Sequence, residues 1–119
     1  MNAHQAAADI TATLPELTHE VTRSINLQNP FALVRILTRY TQKMVQQQNI
    51  SMVEKCLNLI GRIHARGDLM IRHAVEHVFV FSMDHLILSC SPTERNQVVE
   101  KVPASLYQIY LKEVYKTGM

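Results

Sequence analysis

Glycine is scarce in this chain, with three in 119 residues. β-rich stretches bounded by turn signals are missing too. Both absences argue against a sheet fold, which needs turns at short intervals. Cysteine is limited to Cys56 and Cys90. Two cysteines in a chain of this size make no disulfide framework. Cys56, beside Leu57 and Leu59 in a helical pattern, reads as a small buried hydrophobe. Charge is low as well: charged residues are 18% of the chain and the net charge is +2 with histidines neutral. So mild a bias points to no particular partner, and a nucleic-acid binder usually shows a denser basic stripe. The longest apolar window is broken by His77, Asp84 and His85, so no membrane span is expected. The opening residues, MNAHQAAADITATLPEL, lack the basic and apolar regions of a secretory signal, and the expected location is the cytoplasm.

Hydrophobic residues make up 47% of the chain. With this length, that suits one globular domain whose core needs no covalent staple. Residues 1–13 are rich in Ala and Thr, and are expected to be weakly ordered ahead of a single helical domain over 14–119. Pro15 suits the first turn of a helix to about Asn26, with Leu17, Val21 and Ile25 on one face. Asn29-Pro30 is an N-cap followed by proline at the first helical position. It opens a helix to about Gln47 with Leu33, Ile36, Leu37, Tyr40 and Met44 as a buried stripe. A helix from about Met52 to Arg66 turns Val53, Cys56, Leu57, Ile60 and Ile63 inward. Gly61 in its interior costs about 1 kcal/mol against alanine in propensity, which points to a close approach by another helix. His64 and Arg66 suit the end of that helix, and Gly67 its C-cap.

Asp68 caps the segment Met70 to Leu88, which is apolar around most of its circumference. On a uniform helical wheel Ile71, Ala74, Val75, Val78 and Phe81 form the inner face, and His85 falls on that side. Arg72, His73, Glu76, His77 and Asp84 lie opposite. Val80, Met83 and Ile87 interrupt this polar side and are predicted to meet another molecule. Val78→Asp should then unfold the domain, whereas Val80→Asp should leave the fold intact and break an interface. Ser91-Pro92-Thr93-Glu94 is a capping box opening a short helix to about Lys101. A last helix from Pro103 to about Lys116 carries Leu106, Ile109, Tyr110 and Val114 as its apolar stripe. The fold class is all-α, about six helices stacked as antiparallel hairpins in a short solenoid or bundle.

Three stretches carry a resemblance. They are Val53-Glu54-Lys55-Cys56-Leu57, then Arg72-His73-Ala74-Val75-Glu76-His77-Val78-Phe79-Val80-Phe81-Ser82, then Leu106-Tyr107 with Tyr110. Together they resemble a family of small all-helical bacterial proteins with no assigned function, whose core reads A-V-E-x-V-F-V-x-S. The likeness covers roughly residues 14–118 and implies no catalytic or ligand residue. Glu76 is the one charged member of the shared core. His77 stands where the relatives carry asparagine, so no family role can require imidazole there.

Several constellations bear on chemistry. His73 and His77 stand at i and i+4, a spacing that can hold a metal ion given a further ligand from elsewhere. Arg35, Arg39 and Lys43 form the best basic stripe, one that could meet phosphates but lacks interleaved aromatics. Arg72 and Glu76 could form an i,i+4 ion pair. Tyr107 and Tyr115 are interface candidates, since tyrosine is large, stiff and half polar. No nucleophile elbow, phosphate-cradling glycine loop or placed acid pair is present, so no enzyme and no cofactor are expected. The expected function is a non-enzymatic protein-interaction module, homodimeric or of an immunity or antitoxin kind. It would act through Val80, Met83, Ile87, Tyr107 and Tyr115. The alternatives are a metal- or small-ligand-binding protein using His73 and His77, and a weak nucleic-acid binder using Arg35, Arg39 and Lys43.

Overall fold

The structure, a computed structural model, describes residues 1–23 and 29–117, with side chains through Glu113. Among the described residues it is helix and turn throughout, with no strand. The elements are α1 (Ala3–Thr13), a 3-10 turn (Pro15–Leu17), α2 (Thr18–Val21), α3 (Pro30–Gln46) and α4 (Ile50–Arg66). There follow α5 (Leu69–Ala74), a π-helical turn (Val75–Phe79), α6 (Val80–Leu88), α7 (Pro92–Lys101) and α8 (Ala104–Thr117). α5, the π turn and α6 run as one rod over residues 69–88, since the dihedrals at both junctions stay in the right-handed helical region. Ile25, and the side chains of Val114 and Tyr115, lie outside the described residues.

Local sequence explains where the helices begin. Asn2, Asn29, Asn49, Asp68 and Ser91 each accept a hydrogen bond from a backbone N–H in the first turn. Each relieves at least one of the four unpaired donors at a helix start, and Asn29 relieves two, from Phe31 and Ala32. Capped by Asn49, α4 begins at Ile50, two residues before the expected Met52. Asn2 and Gln5 form a reciprocal capping box, and α1 buries Ala6, Ala7 and Ile10. The segment expected to be weakly ordered is thus a docked helix. Its alanines carry the apolar face, so the stripe is small-residued rather than absent.

α3 is the hub. It packs against α1, α2, α4 and the whole rod. Its buried face is wider than the expected stripe because Thr38 and Thr41 are buried as well. Their hydroxyls donate to the carbonyls of Val34 and Leu37, at 2.7 and 2.8 Å, so neither enters the core unpaired. α7 packs on α4 and α6, and α8 on α6. The molecule measures 38 × 31 × 19 Å, and its short dimension matches two layers of helices at 8–10 Å spacing.

Gly61 does mark a close approach, but the neighbour is a ring and not a helix backbone. A Cβ there would lie 2.6 Å from Cγ of Pro103, at the corner between α7 and α8. Gly67 has an extended backbone, φ −69° and ψ 152°, so left-handed freedom is not why it is glycine. A Cβ would collide with Ile71 at 2.4 Å and the Ile63 carbonyl at 2.7 Å.

The rod departs most from the uniform wheel. The Val80 N–H bonds to the Val75 carbonyl, an i→i+5 step that inserts one residue into the helical register. Beyond it the inner face is Phe79, Val80, Met83 and Leu86. Val80 is 2% exposed and Met83 0%, whereas Phe81 is 61% exposed and His85 is also exposed. The expected assignments of Val80 and Met83 to an interface, and of Phe81 and His85 to the inner side, are therefore exchanged. Val78 is half-buried and Ile87 likewise.

Two outcomes follow for stability. Val80→Asp places a charge in the core and should abolish the cooperative unfolding transition, while Phe81→Asp should shift it by no more than about 0.5 kcal/mol. Gln48 holds φ 59° in the Schellman turn that ends α3, where Gln48 N–H bonds to Val45 O and Asn49 N–H to Met44 O. Gln48→Gly should raise the free energy of unfolding in urea by about 0.5–1 kcal/mol, because glycine adopts that conformation without the Cβ penalty.

Candidate functional site

The outer face of the rod is the least satisfied surface of the described molecule. Its large apolar side chains stand in water: Leu69 is 67% exposed, Met70 51%, Phe81 61% and Leu88 71%. Between them lie His73 and His77, both exposed. Leu69, His73, His77 and Phe81 follow one another at four-residue steps. In a uniform α-helix such a series drifts about 40° per step, from 100° per residue. The wider π turn takes back that drift and keeps the series in line. Ring contacts run along it: His73 and His77 meet edge to face with centroids 5.9 Å apart, and His77 and Phe81 stand at 5.9 Å. With Leu88 the ladder runs about 28 Å along the rod, at 1.5 Å per residue. No ladder position carries a lysine or arginine.

Of the residues expected to contact a partner, Val80 and Met83 lie in the core, Ile87 and Tyr107 are half-buried, and the Tyr115 side chain lies outside the described residues. Tyr107 lies against Tyr110 with centroids 5.9 Å apart. Tyr110 donates a hydrogen bond to Asp84, which fastens α8 to the rod. His73 and His77 come together as expected. No group of three or more His, Cys, Asp or Glu able to hold a metal is formed among the described residues. The ladder was not legible in the sequence because a five-residue step has no signature in residue type.

Polar pairs hold the scaffold. Arg62 of α4 makes a two-pronged bond to Asp9 of α1, at 2.9 and 2.8 Å, and also reaches Thr13 at 3.0 Å. His64 is buried at the end of α4 and meets Glu76 of the π turn at 3.0 Å. Glu76 thus turns to His64 rather than to Arg72. It pins the turn that sets the ladder's register. The thiols are out of reach: burial pushes Cys56 up to about 11 and Cys90 also upward, which leaves both un-ionised and inert.

Arg39, Lys43 and Tyr40 line a groove of about 360 Å³ with Glu16 and Glu20 across it. Arg39 pairs with Glu20 at 3.5 Å, so carboxylates offset much of the basic stripe, and Arg35 stays exposed outside the groove. Tyr40 donates to Glu16 at 2.5 Å. That bond lowers the Glu16 carboxyl below its ordinary range, while burial, then the same bond, push Tyr40 up to about 12. Glu16 therefore contributes stability above its ordinary pKa of 4.5, lost as pH falls through its lowered value. Tyr40 contributes stability below its ordinary 10.0, lost as pH rises towards about 12. Tyr40→Phe should lose stability by a constant amount between these limits and by less beyond either, as read by urea unfolding across pH.

A family profile described as "Domain of unknown function (DUF7674)" matches residues 7–116. That span takes in most of α1, the hub, the rod and nearly all of α8. No curated protein and no solved structure gives a significant match. No helix among the described residues is long and apolar enough to cross a membrane. On a match that covers most of its length, the chain belongs to the DUF7674 domain family.

Proposed function

We propose that this protein is a non-enzymatic interaction module that docks another protein chain on the outer face of its 69–88 rod. The observation that supports this is the exposed line of Leu69, Phe81 and Leu88 on a helix whose opposite face is fully packed. Single exposed apolar residues are ordinary, whereas several in line along one helix make a docking stripe. The side chains on that line, leucine, phenylalanine and imidazole, suit a protein surface better than a phosphate backbone, which would call for arginine or lysine. Two buried free thiols fit a reducing compartment, and the reading places the protein in the cytoplasm of a bacterial cell.

Rigidity serves this use. α3 and α4 clamp the inner side of the rod, so the face is formed before the partner arrives and little ordering entropy is lost on docking. The half-buried tyrosines of α8 lie on a neighbouring element, where they can extend the contact.

The test places a photo-crosslinking residue at position 81 and, as a control, at the exposed Gln97 of α7, in living cells. The expected result is a discrete crosslinked product at 81, absent at 97, and lost when Leu69→Asp and Leu88→Asp are added to a still-folded chain. Equal labelling at both positions would overturn the reading.

A further inference from the structure

The ladder is self-complementary, and we propose that its occupant is a second copy of this chain, with a zinc-class divalent ion clamped between the two rods. The proposal rests on the docking reading of the same face. Along residues 69, 73, 77 and 81 the order is Leu, His, His, Phe, which reads apolar, imidazole, imidazole, apolar in either direction. A two-fold axis that passes between two such rods, level with the midpoint of His73 and His77 and perpendicular to both, sets them antiparallel. Leu69 of each copy then faces Phe81 of the other, and the two histidine pairs face each other.

The coordination chemistry agrees. One copy offers two imidazoles on one face, with ring centroids 5.9 Å apart, and no third ligand among the described residues. Zn²⁺ in a closed site takes four ligands in a tetrahedron, with nitrogen at about 2.0–2.1 Å. Two imidazoles per copy complete that set only when a second copy is present. The site is therefore incomplete in the monomer by construction, and the two-fold axis supplies what it lacks.

The apolar area argues the same way. Part-exposed Leu69, Met70 and Phe81 on each copy fall short of the roughly 800 Å² per partner that a standard interface buries. Hydrophobic contact alone should leave this pair weak, and the ion provides the missing affinity. Phenylalanine and leucine flank the histidines on both sides, so the metal would sit in a site closed to water at each end.

The experiment is sedimentation velocity of the full chain at micromolar concentration, with chelator, with stoichiometric Zn²⁺, and with Mg²⁺ as a hard-cation control. The expected result is monomer with chelator or Mg²⁺ and dimer with Zn²⁺ at one ion per two chains. Dimer affinity should fall at least tenfold in His73→Ala and in His77→Ala, with unchanged circular dichroism. Co²⁺ in place of Zn²⁺ should give the absorption of a tetrahedral nitrogen site only in the dimer. Phe81→Asp should weaken the zinc dimer while leaving two histidines able to bind. A chain that stays monomeric with Zn²⁺, or a zinc dimer indifferent to His73→Ala and His77→Ala, overturns the inference. Monomer with zinc alongside a specific crosslink at position 81 to a different protein would sink the inference and leave the docking reading standing. No crosslink at all would sink both.

Discussion

One backbone hydrogen bond decides which half of the rod faces water. Because the Val80 N–H reaches back five residues to Val75, everything after it is rotated by about one residue's turn relative to a plain α-helix. Val80 and Met83 enter the core and Phe81 leaves it. The same shift aligns Phe81 with His77 and His73 across the turn. Without the extra residue the inner face would be Val78, Phe81 and His85, and the ladder would wind away from its own line.

Such a turn needs support, since a π segment has fewer well-placed backbone contacts than an α-helix. Two contacts supply it. α3 lies directly against it, and His64 of α4 meets Glu76 inside it. Hydrophobic burial is strong but has no direction, so it brings helices together without choosing their rotation. The directional pairs choose it: Arg62 with Asp9 for α1 on α4, His64 with Glu76 for the rod on α4, Tyr40 with Glu16 for α3 on the 3-10 turn, and Tyr110 with Asp84 for α8 on α6. Each sits at the rim of the core, where one side can still reach water and the desolvation cost is moderate.

These supports separate structure from function along the rod. The inner face is committed to the core, and the polar pair at Glu76 is committed to the turn. What remains outside is an exposed row of side chains with a symmetric order of types. That row gives the proposed docking and metal-bridged pairing their common physical basis, a rigid helix face that is apolar at both ends and imidazole in the middle.

Much of the architecture was legible in the sequence alone. Asn29-Pro30, Asp68 and Ser91-Pro92 marked helix starts because a short polar side chain before a helix has one dominant use, satisfying exposed N–H groups. Leu33, Ile36, Leu37 and Met44 in α3, and Val53, Cys56, Leu57, Ile60 and Ile63 in α4, were readable as core because a uniform α-helix keeps its period. The His73–His77 pair was visible for the same reason. Only the tertiary structure decided the rest. Thr38 and Thr41 look polar in a list of residues, yet backbone carbonyls within their own helix let them be buried. α1 hides its apolar face in alanines. The exposure of Phe81 and the burial of Val80 follow from one inserted residue in the hydrogen-bond ladder, stabilised by α3 and His64 from elsewhere in the chain. A periodic reading assumes one period throughout, and here a contact distant in sequence changed it.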